Sequence, residues 1–237
     1  IFRMGELSGG NNFYPQLRLY APDGSLIRNE NDNAEATIVH RATSAGVYTL
    51  VVSGYFYGNT GNYRLTSLKV PGGFVVPTGD EGGPLASGVS QDGVTYVGDL
   101  DTWVFGANSN ASLSVTISEL SGGNIYYPQI RLYNPSGALV SDQNSNTTTT
   151  INHTTTVAGI YTVVVSGYFY GNTGSYRLSM TGGTAIVPPA ITAQPTAQAV
   201  APGGTATFTV AASGTAPLVY QWRLNGADIA GATSATL

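Results

Sequence analysis

The sequence predicts an all-β protein built as a series of antiparallel β-sandwiches. Three observations predict it. Short runs rich in Val, Ile, Thr and Tyr alternate with clusters of turn residues. A long stretch of the chain repeats itself at an offset of 113 residues. No window offers an amphipathic helix with a cap and a stop. The offset exceeds the roughly 20–50 residues of a solenoid unit. It matches a complete β-sandwich of about 100 residues.

The repeat is explicit. Glu6-Leu7-Ser8-Gly9-Gly10-Asn11 returns as Glu119-Leu120-Ser121-Gly122-Gly123-Asn124. Val51 through Gly61 returns unchanged as Val164 through Gly174. Between Glu6 and Thr66, 39 of 61 positions are identical to their counterparts, with no gap. The first copy is expected to be cut short, because Ile1 aligns with Ser114 and the equivalent of Val94 through Leu113 does not precede it.

The second copy supplies the elements in order. Thr102-Trp103-Val104-Phe105 reads as a strand. Leu113-Ser114-Val115-Thr116-Ile117 alternates apolar and polar residues, as a half-buried strand does. Gln129-Ile130-Arg131-Leu132-Tyr133 alternates again. Pro135-Ser136-Gly137 then makes a turn, with Pro22-Asp23-Gly24 its partner in copy one. Ile160 through Val165 is the strongest strand. Gly171-Asn172-Thr173-Gly174 turns the chain, and Tyr176 through Met180 returns. The expected divisions are copy one at 1–70, a spacer at 71–83, copy two at 84–181, a spacer at 182–190, and a final unit at 191–237. Both spacers are short and carry proline, so they are expected to be semi-rigid.

Several of these segments carry a resemblance. They are Gly98-Asp99-Leu100-Asp101-Thr102-Trp103-Val104-Phe105, Leu113-Ser114-Val115-Thr116, the Leu-Tyr-Asn-Pro-Ser-Gly turn, Gly159 through Val165 and Gly174-Ser175-Tyr176-Arg177-Leu178. Together they resemble the bacterial pre-peptidase C-terminal domain over residues 84–181, with 1–68 as a truncated copy. The resemblance implies jelly-roll-like, non-catalytic sandwiches appended to secreted and surface proteins. Some relatives bind collagen or calcium, but their acidic ligand set is not recognisable here, so neither activity is carried over. From Ile191 the chain resembles a bacterial immunoglobulin-like domain. Gly203 through Val210 and Leu218 through Gly226 carry that likeness. Trp222 sits at the strand-C tryptophan, and Val210 stands where antibody domains place a cysteine.

Composition narrows the function. Charged residues make up 9% of 237 and hydrophobic residues 42%. The formal net charge is −4, with only nine Lys and Arg. Broad phosphate or nucleic-acid binding is therefore not expected. No apolar run reaches the roughly 18 residues of a membrane span. Cysteine is absent, which excludes thiol catalysis, Cys-based zinc sites and disulfides. The mixture of Thr, Ser, Asn, Gly and Tyr, with a single lysine at Lys69, suggests an extracellular, bacterial setting.

Candidate chemistry is sparse. His40 and His153 occupy the same repeat position without a second ligand at metal-binding spacing. Asp99 and Asp101 would share a face on a strand. They could do acid–base work or hold calcium, against the plainer role of capping a loop. The ligand count falls short of the six to eight oxygens calcium takes. Asp80-Glu81 reads as a solvated pair in a spacer. No nucleophile elbow, phosphate loop or zinc-protease motif is present. No catalytic residue, metal site or cofactor is expected.

The conspicuous candidates are aromatic. Tyr55-Phe56-Tyr57 and Tyr168-Phe169-Tyr170 each precede a Gly-Asn-Thr-Gly turn. Three consecutive aromatics cannot all face one core from a strand, so at least one is expected to be exposed. Phe13-Tyr14 and Tyr126-Tyr127 form a second matched pair. The alternatives are a contact platform for sugar or protein and cross-strand packing that stabilises the hairpin. The expected function is a non-catalytic structural module of a bacterial surface protein, stalk or filament. It would self-associate through sandwich contacts or strand complementation. The alternative is an accessory polysaccharide- or protein-binding module of a secreted hydrolase.

Overall fold

A computed structural model describes residues 1–8, 13–56, 58, 60–72, 76, 78–122, 126–169, 171–216 and 218–237. Its strands follow the repeat. Copy one contributes β1 (Phe2–Ser8), β2 (Pro15–Tyr20), β3 (Leu26–Asn31), β4 (Glu35–Ile38), β5 (Thr49–Gly54) and β6 (Asn62–Ser67). Copy two begins with β7 (Gly82–Pro84), β8 (Ser90–Thr95) and β9 (Asp101–Ala107). It continues with β10 (Ser112–Ser121), β11 (Pro128–Tyr133), β12 (Leu139–Asn144), β13 (Thr148–Thr154), β14 (Gly159–Gly167) and β15 (Gly174–Thr181). Strands β10 to β15 are β1 to β6 moved along by the repeat offset. Strands β7 to β9 have no counterpart among the described residues of copy one.

Copy two is a two-sheet sandwich. One sheet runs β13-β10-β15-β8 and the other β12-β11-β14-β9-β7. All pairings are antiparallel except β7 with β9, where Gly82–Pro84 runs parallel to Thr102–Val104. Alternation selects which side chains enter the core. Val115 and Ile117 of β10, Ile130 and Leu132 of β11, and Tyr176, Leu178 and Met180 of β15 meet there. Phe105 of β9 stacks on Tyr161 of β14 at 5.9 Å.

Copy one keeps only the sheets β4-β1-β6 and β3-β2-β5. Its core is smaller, built on Met4, Phe13, Leu17, Leu19, Ala36 and Ile38. Among the described residues, strands β5 and β6 are paired on one side only, by β2 and β1. Their counterparts β14 and β15 are paired on both sides, by β9 and β8 as well.

Beyond Thr181 no described residue is fully buried. Two short pairings occur there, β16 (Ala190–Ala193) with β17 (Ala211–Ser213), and β18 (Arg223–Leu224) with β19 (Ala227–Asp228). Trp222, expected from its pattern to be a core residue, is only half-buried and donates its indole N–H to Ser234 O at 2.8 Å. No second layer covers that ring among the described residues. A shallow apolar hollow of about 320 Å³ lies beside it, bounded by Ile191, Val210 and Leu218.

Candidate interaction surface

The two copies are packed against each other rather than strung apart. The outer face of β4-β1-β6 lies on the outer face of β11-β14 and on the turn between β8 and β9. The alternation that sends Met4, Ala36 and Ile38 into the core of copy one turns Arg3, Gly5 and Glu35 outward. Arg3 and Glu35 are nonetheless buried, at 4% and 0% exposed. Arg3 Nε and Nη2 both donate to the Glu35 carboxylate. Arg3 Nη2 also donates to Gly167 O of copy two at 2.9 Å. Glu35 accepts two more hydrogen bonds, from Gly98 N at 2.9 Å and Gly171 N at 3.3 Å. A buried ion pair holds only when its remaining donors and acceptors are satisfied, and copy two supplies those partners.

Polar and apolar contacts surround this pair. Thr66 Oγ1 donates to Gly98 O at 2.7 Å. The Arg64 guanidinium lies 5.2 Å from the centre of the Tyr96 ring and 3.9 Å from Asp99. Ile1, Leu68 and Val70 pack on Leu100, Tyr133 and Val164. A Cβ on Gly5 would stand 2.4 Å from Gly98 N, so only glycine permits this approach.

Copy one is open along β6 and at one end of its core. Tyr63 and Leu65 of β6 are 44% and 40% exposed, whereas their twins Tyr176 and Leu178 are fully buried. A cavity of about 820 Å³ at the edge of the junction runs from Phe2, Leu19 and Tyr48 of copy one to Tyr133, Gly137 and Leu139 of copy two. Val115, Leu132 and Tyr161, the twins of its three copy-one residues, share the closed core with Phe105 of β9. The copy-one end of the cavity therefore occupies the side of the core that β9 fills in copy two.

The aromatic candidates form matched clusters at the ends of β5 and β14. Phe56 meets Tyr14 and Tyr55 edge-to-face, with ring centres 5.0 Å apart in each case. Phe169 meets Tyr127 at 4.8 Å and Tyr168 at 5.0 Å in the same way. Tyr55 and Phe56 are 47% and 50% exposed, and Tyr168 and Phe169 are 45% and 48% exposed. Packing within the hairpin and an exposed aromatic surface thus coexist. The near-equal values show that contact between the copies does not cover the second cluster. Tyr57 and Tyr170 lie outside the described residues.

The acidic residues need a correction. Asp80 and Glu81 are not a freely solvated pair. They come close to Asp101, with a carboxylate oxygen of each within 4.8 Å of the others. The parallel pairing of β7 with β9 brings this segment beside the start of β9. Asp101 is fully buried, accepts from Tyr176 OH at 2.6 Å, and leaves Oδ1 without a partner. Burial pushes its carboxyl up to about 9, offset in part by the Tyr176 hydrogen bond. Burial and the Asp80 charge also raise Glu81. Asp99 does not lie on the strand beside Asp101. It sits in the preceding turn and accepts from Tyr96 N and Leu100 N, which is loop capping. Three carboxylates fall short of a calcium shell. A proton on Asp101 relieves their repulsion.

His40 and His153 each tilt against a tyrosine, Tyr48 at 5.9 Å and Tyr161 at 6.3 Å. Their shared position is thus a packing position.

Residue spacing did not reveal the Arg3–Glu35 contact or the acidic group. The detectable signal for the first is loss of repetition: Arg3, Gly5 and Glu35 align with Thr116, Ser118 and Thr148.

No protein-family model matches the chain, and no relative is found among curated proteins. Among solved structures, the chain is similar to the pre-peptidase C-terminal domain of collagenase from Bacillus anthracis. That match has 18% identity and a TM-score of 0.34, and covers 43% of this chain and 96% of that one. It is also similar to PliG, a periplasmic inhibitor of g-type lysozyme from Aeromonas hydrophila. There the identity is 13% and the TM-score 0.34, with 43% and 97% covered.

Proposed function

We propose that this chain is a non-catalytic structural segment of an extracellular bacterial surface protein, in which β-sandwiches pack serially into a stalk or filament. The observation that carries this reading is the buried junction between the copies. An ion pair, a glycine contact and an apolar cluster fix one sandwich on the next, where a flexible tether would leave both faces wet. The one-sided strands β5 and β6 support strand complementation as part of the assembly, because an unpaired edge templates a further strand. A pair of strands of the β8–β9 kind, one for each sheet, fits those edges. The low charge content suits surfaces that meet one another.

A synthetic peptide of residues 89–107, spanning β8 and β9, tests the strand reading. Added to the chain, it should bind and slow amide exchange in β5 and β6 but not in β14 and β15. Exchange in β5 and β6 that ignores the peptide contradicts complementation. Antibodies against the chain should label the outside of intact source cells, and labelling only after lysis contradicts the extracellular assignment.

The matched aromatic clusters favour a second reading, an accessory module that grips polysaccharide or protein. Replacing Tyr55 and Tyr168 with alanine should then weaken retention on an insoluble polymer that holds the unmodified chain. Unchanged retention removes this reading.

A further inference from the structure

The residues of β11, β14 and their turns that receive copy one are repeated in copy one itself, where no described residue is docked on them. Arg131, Tyr133, Val164, Ser166, Gly167 and Gly171 are matched by Arg18, Tyr20, Val51, Ser53, Gly54 and Gly58, identical at every position. The polar ladder on that face is also repeated. Arg131 Nη2 donates to Ser166 Oγ, which donates to Gln129. Arg18 Nη2 donates to Ser53 Oγ, which donates to Gln16. Burial differs. Arg131, Tyr133, Val164 and Ser166 are buried, beneath copy one and beside β9, while Arg18, Tyr20, Val51 and Ser53 are only half-buried.

The turns show the same contrast. A Cβ on Gly137 would lie 2.4 Å from Val70 O, and one on Gly171 would lie 3.1 Å from Ala34 Cβ. Their twins Gly24 and Gly58 have nothing within 4 Å of that position. The donor side behaves in the opposite way. Residues 1–5 of copy one share no identity with 114–118, nor do 67–70 with 180–183. Ser118 in place of Gly5 would carry a Cβ where the junction leaves no room. Thr116 and Thr148 cannot form the ion pair. The β11-β14 part of the receiving face is thus kept in both copies, the Tyr96–Leu100 turn that also receives copy one is present in copy two alone, and the donating face in copy one alone.

We propose that the outer face of β2-β5 in copy one, centred on Arg18, Tyr20, Val51 and the Gly24 and Gly58 turns, is a docking face for another sandwich. The partner's chemistry is set by the junction already present. It is a sandwich repeat with a buried Arg–Glu pair, the Arg placed to donate to Gly54 O and the Glu to accept from Gly58 N as their twins do at the existing junction, and with aliphatic residues at the positions of Ile1, Leu68 and Val70. Each donor meets a receiver of a different kind, a heterologous contact that propagates along an open line. Copy two, with a receiving face and no donating one, terminates the line at that end. This rests on the serial-sandwich reading above and names its contact.

The test frees the donor face of the full chain and asks where it goes. Gly137→Asn with Gly171→Asp crowds the junction at two turns. Both residues tolerate the left-handed backbone found there, and the core strands are untouched. Every copy-two face in solution is then blocked, so only the copy-one face can receive. Sedimentation should show the apparent mass at least doubling as concentration rises. Adding Gly24→Asn and Gly58→Asp should return it to the single-chain mass. Ala34→Cys reports the opening, since the chain has no other thiol and Gly171 shields that position. Where the thiol stays shielded, Tyr133→Ala is added to open the junction. An open junction with single-chain mass at all concentrations overturns the proposal. So does association that survives the Gly24 and Gly58 substitutions. Failure here leaves peptide binding at β5 and β6 intact, so the two readings part cleanly.

Discussion

Copy one and copy two share most of their sequence but not their burial. Tyr176 and Leu178 are sealed by β8, while Tyr63 and Leu65 stand open. Phe105 covers Tyr161, while Tyr48 faces a cavity. The difference teaches that the repeat pattern specifies strands and sheet order, while the strands laid alongside determine the depth of the core. It also teaches that neighbours make an interface. Arg3 and Glu35 would be costly on a buried face alone, and copy two supplies their remaining partners.

The largest effect expected is at that ion pair. Glu35→Ala leaves Arg3 buried and uncompensated, at a cost of about 3–5 kcal/mol. Thr148→Ala, its twin, should cost less than about 0.5 kcal/mol, as ordinary surface changes do. Equal losses in thermal unfolding would break the comparison. The next contrast is apolar. Leu178→Ala should cost about 2–5 kcal/mol, and Leu65→Ala about half of that or less, because Leu65 is already 40% exposed. Chemical denaturation of the two variants checks this.

A third effect depends on pH. Asp101 holds its proton up to about 9 in the folded protein, whereas an unfolded aspartate releases it near 3.9. The folded chain therefore binds the extra proton between those values, and stability falls as pH rises through that window. Asp101→Asn keeps an acceptor for Tyr176 OH and should flatten the decline in melting temperature between pH 5 and 8. An unaltered pH profile would contradict the assignment to Asp101. The smallest effect belongs to the exposed Arg177–Asp92 pair of copy two. Removing Asp92 should lower the melting temperature only slightly, and less still in high salt.

Much of the fold was legible. Val115 through Ile117 and Gln129 through Tyr133 alternate cleanly because one side of each strand meets the core. Strands β3 and β12 were not legible, because LIRNEN and LVSDQN lie at sheet edges with no residue buried. Strand β8, also at an edge, begins with the polar run Ser-Gln-Asp. The aromatic clusters were legible from the impossibility of burying three neighbours. The acidic group was not, because it depends on Gly82–Pro84 crossing beside β9, a pairing with no periodic signature.

Amide hydrogen exchange of the full chain, compared strand by strand, tests the central contrast most directly. The account predicts that β14 and β15 exchange only on unfolding of copy two. It predicts that β5 and β6 exchange faster than β14 and β15, through local opening. Equal protection of β5 with β14, and of β6 with β15, would contradict it.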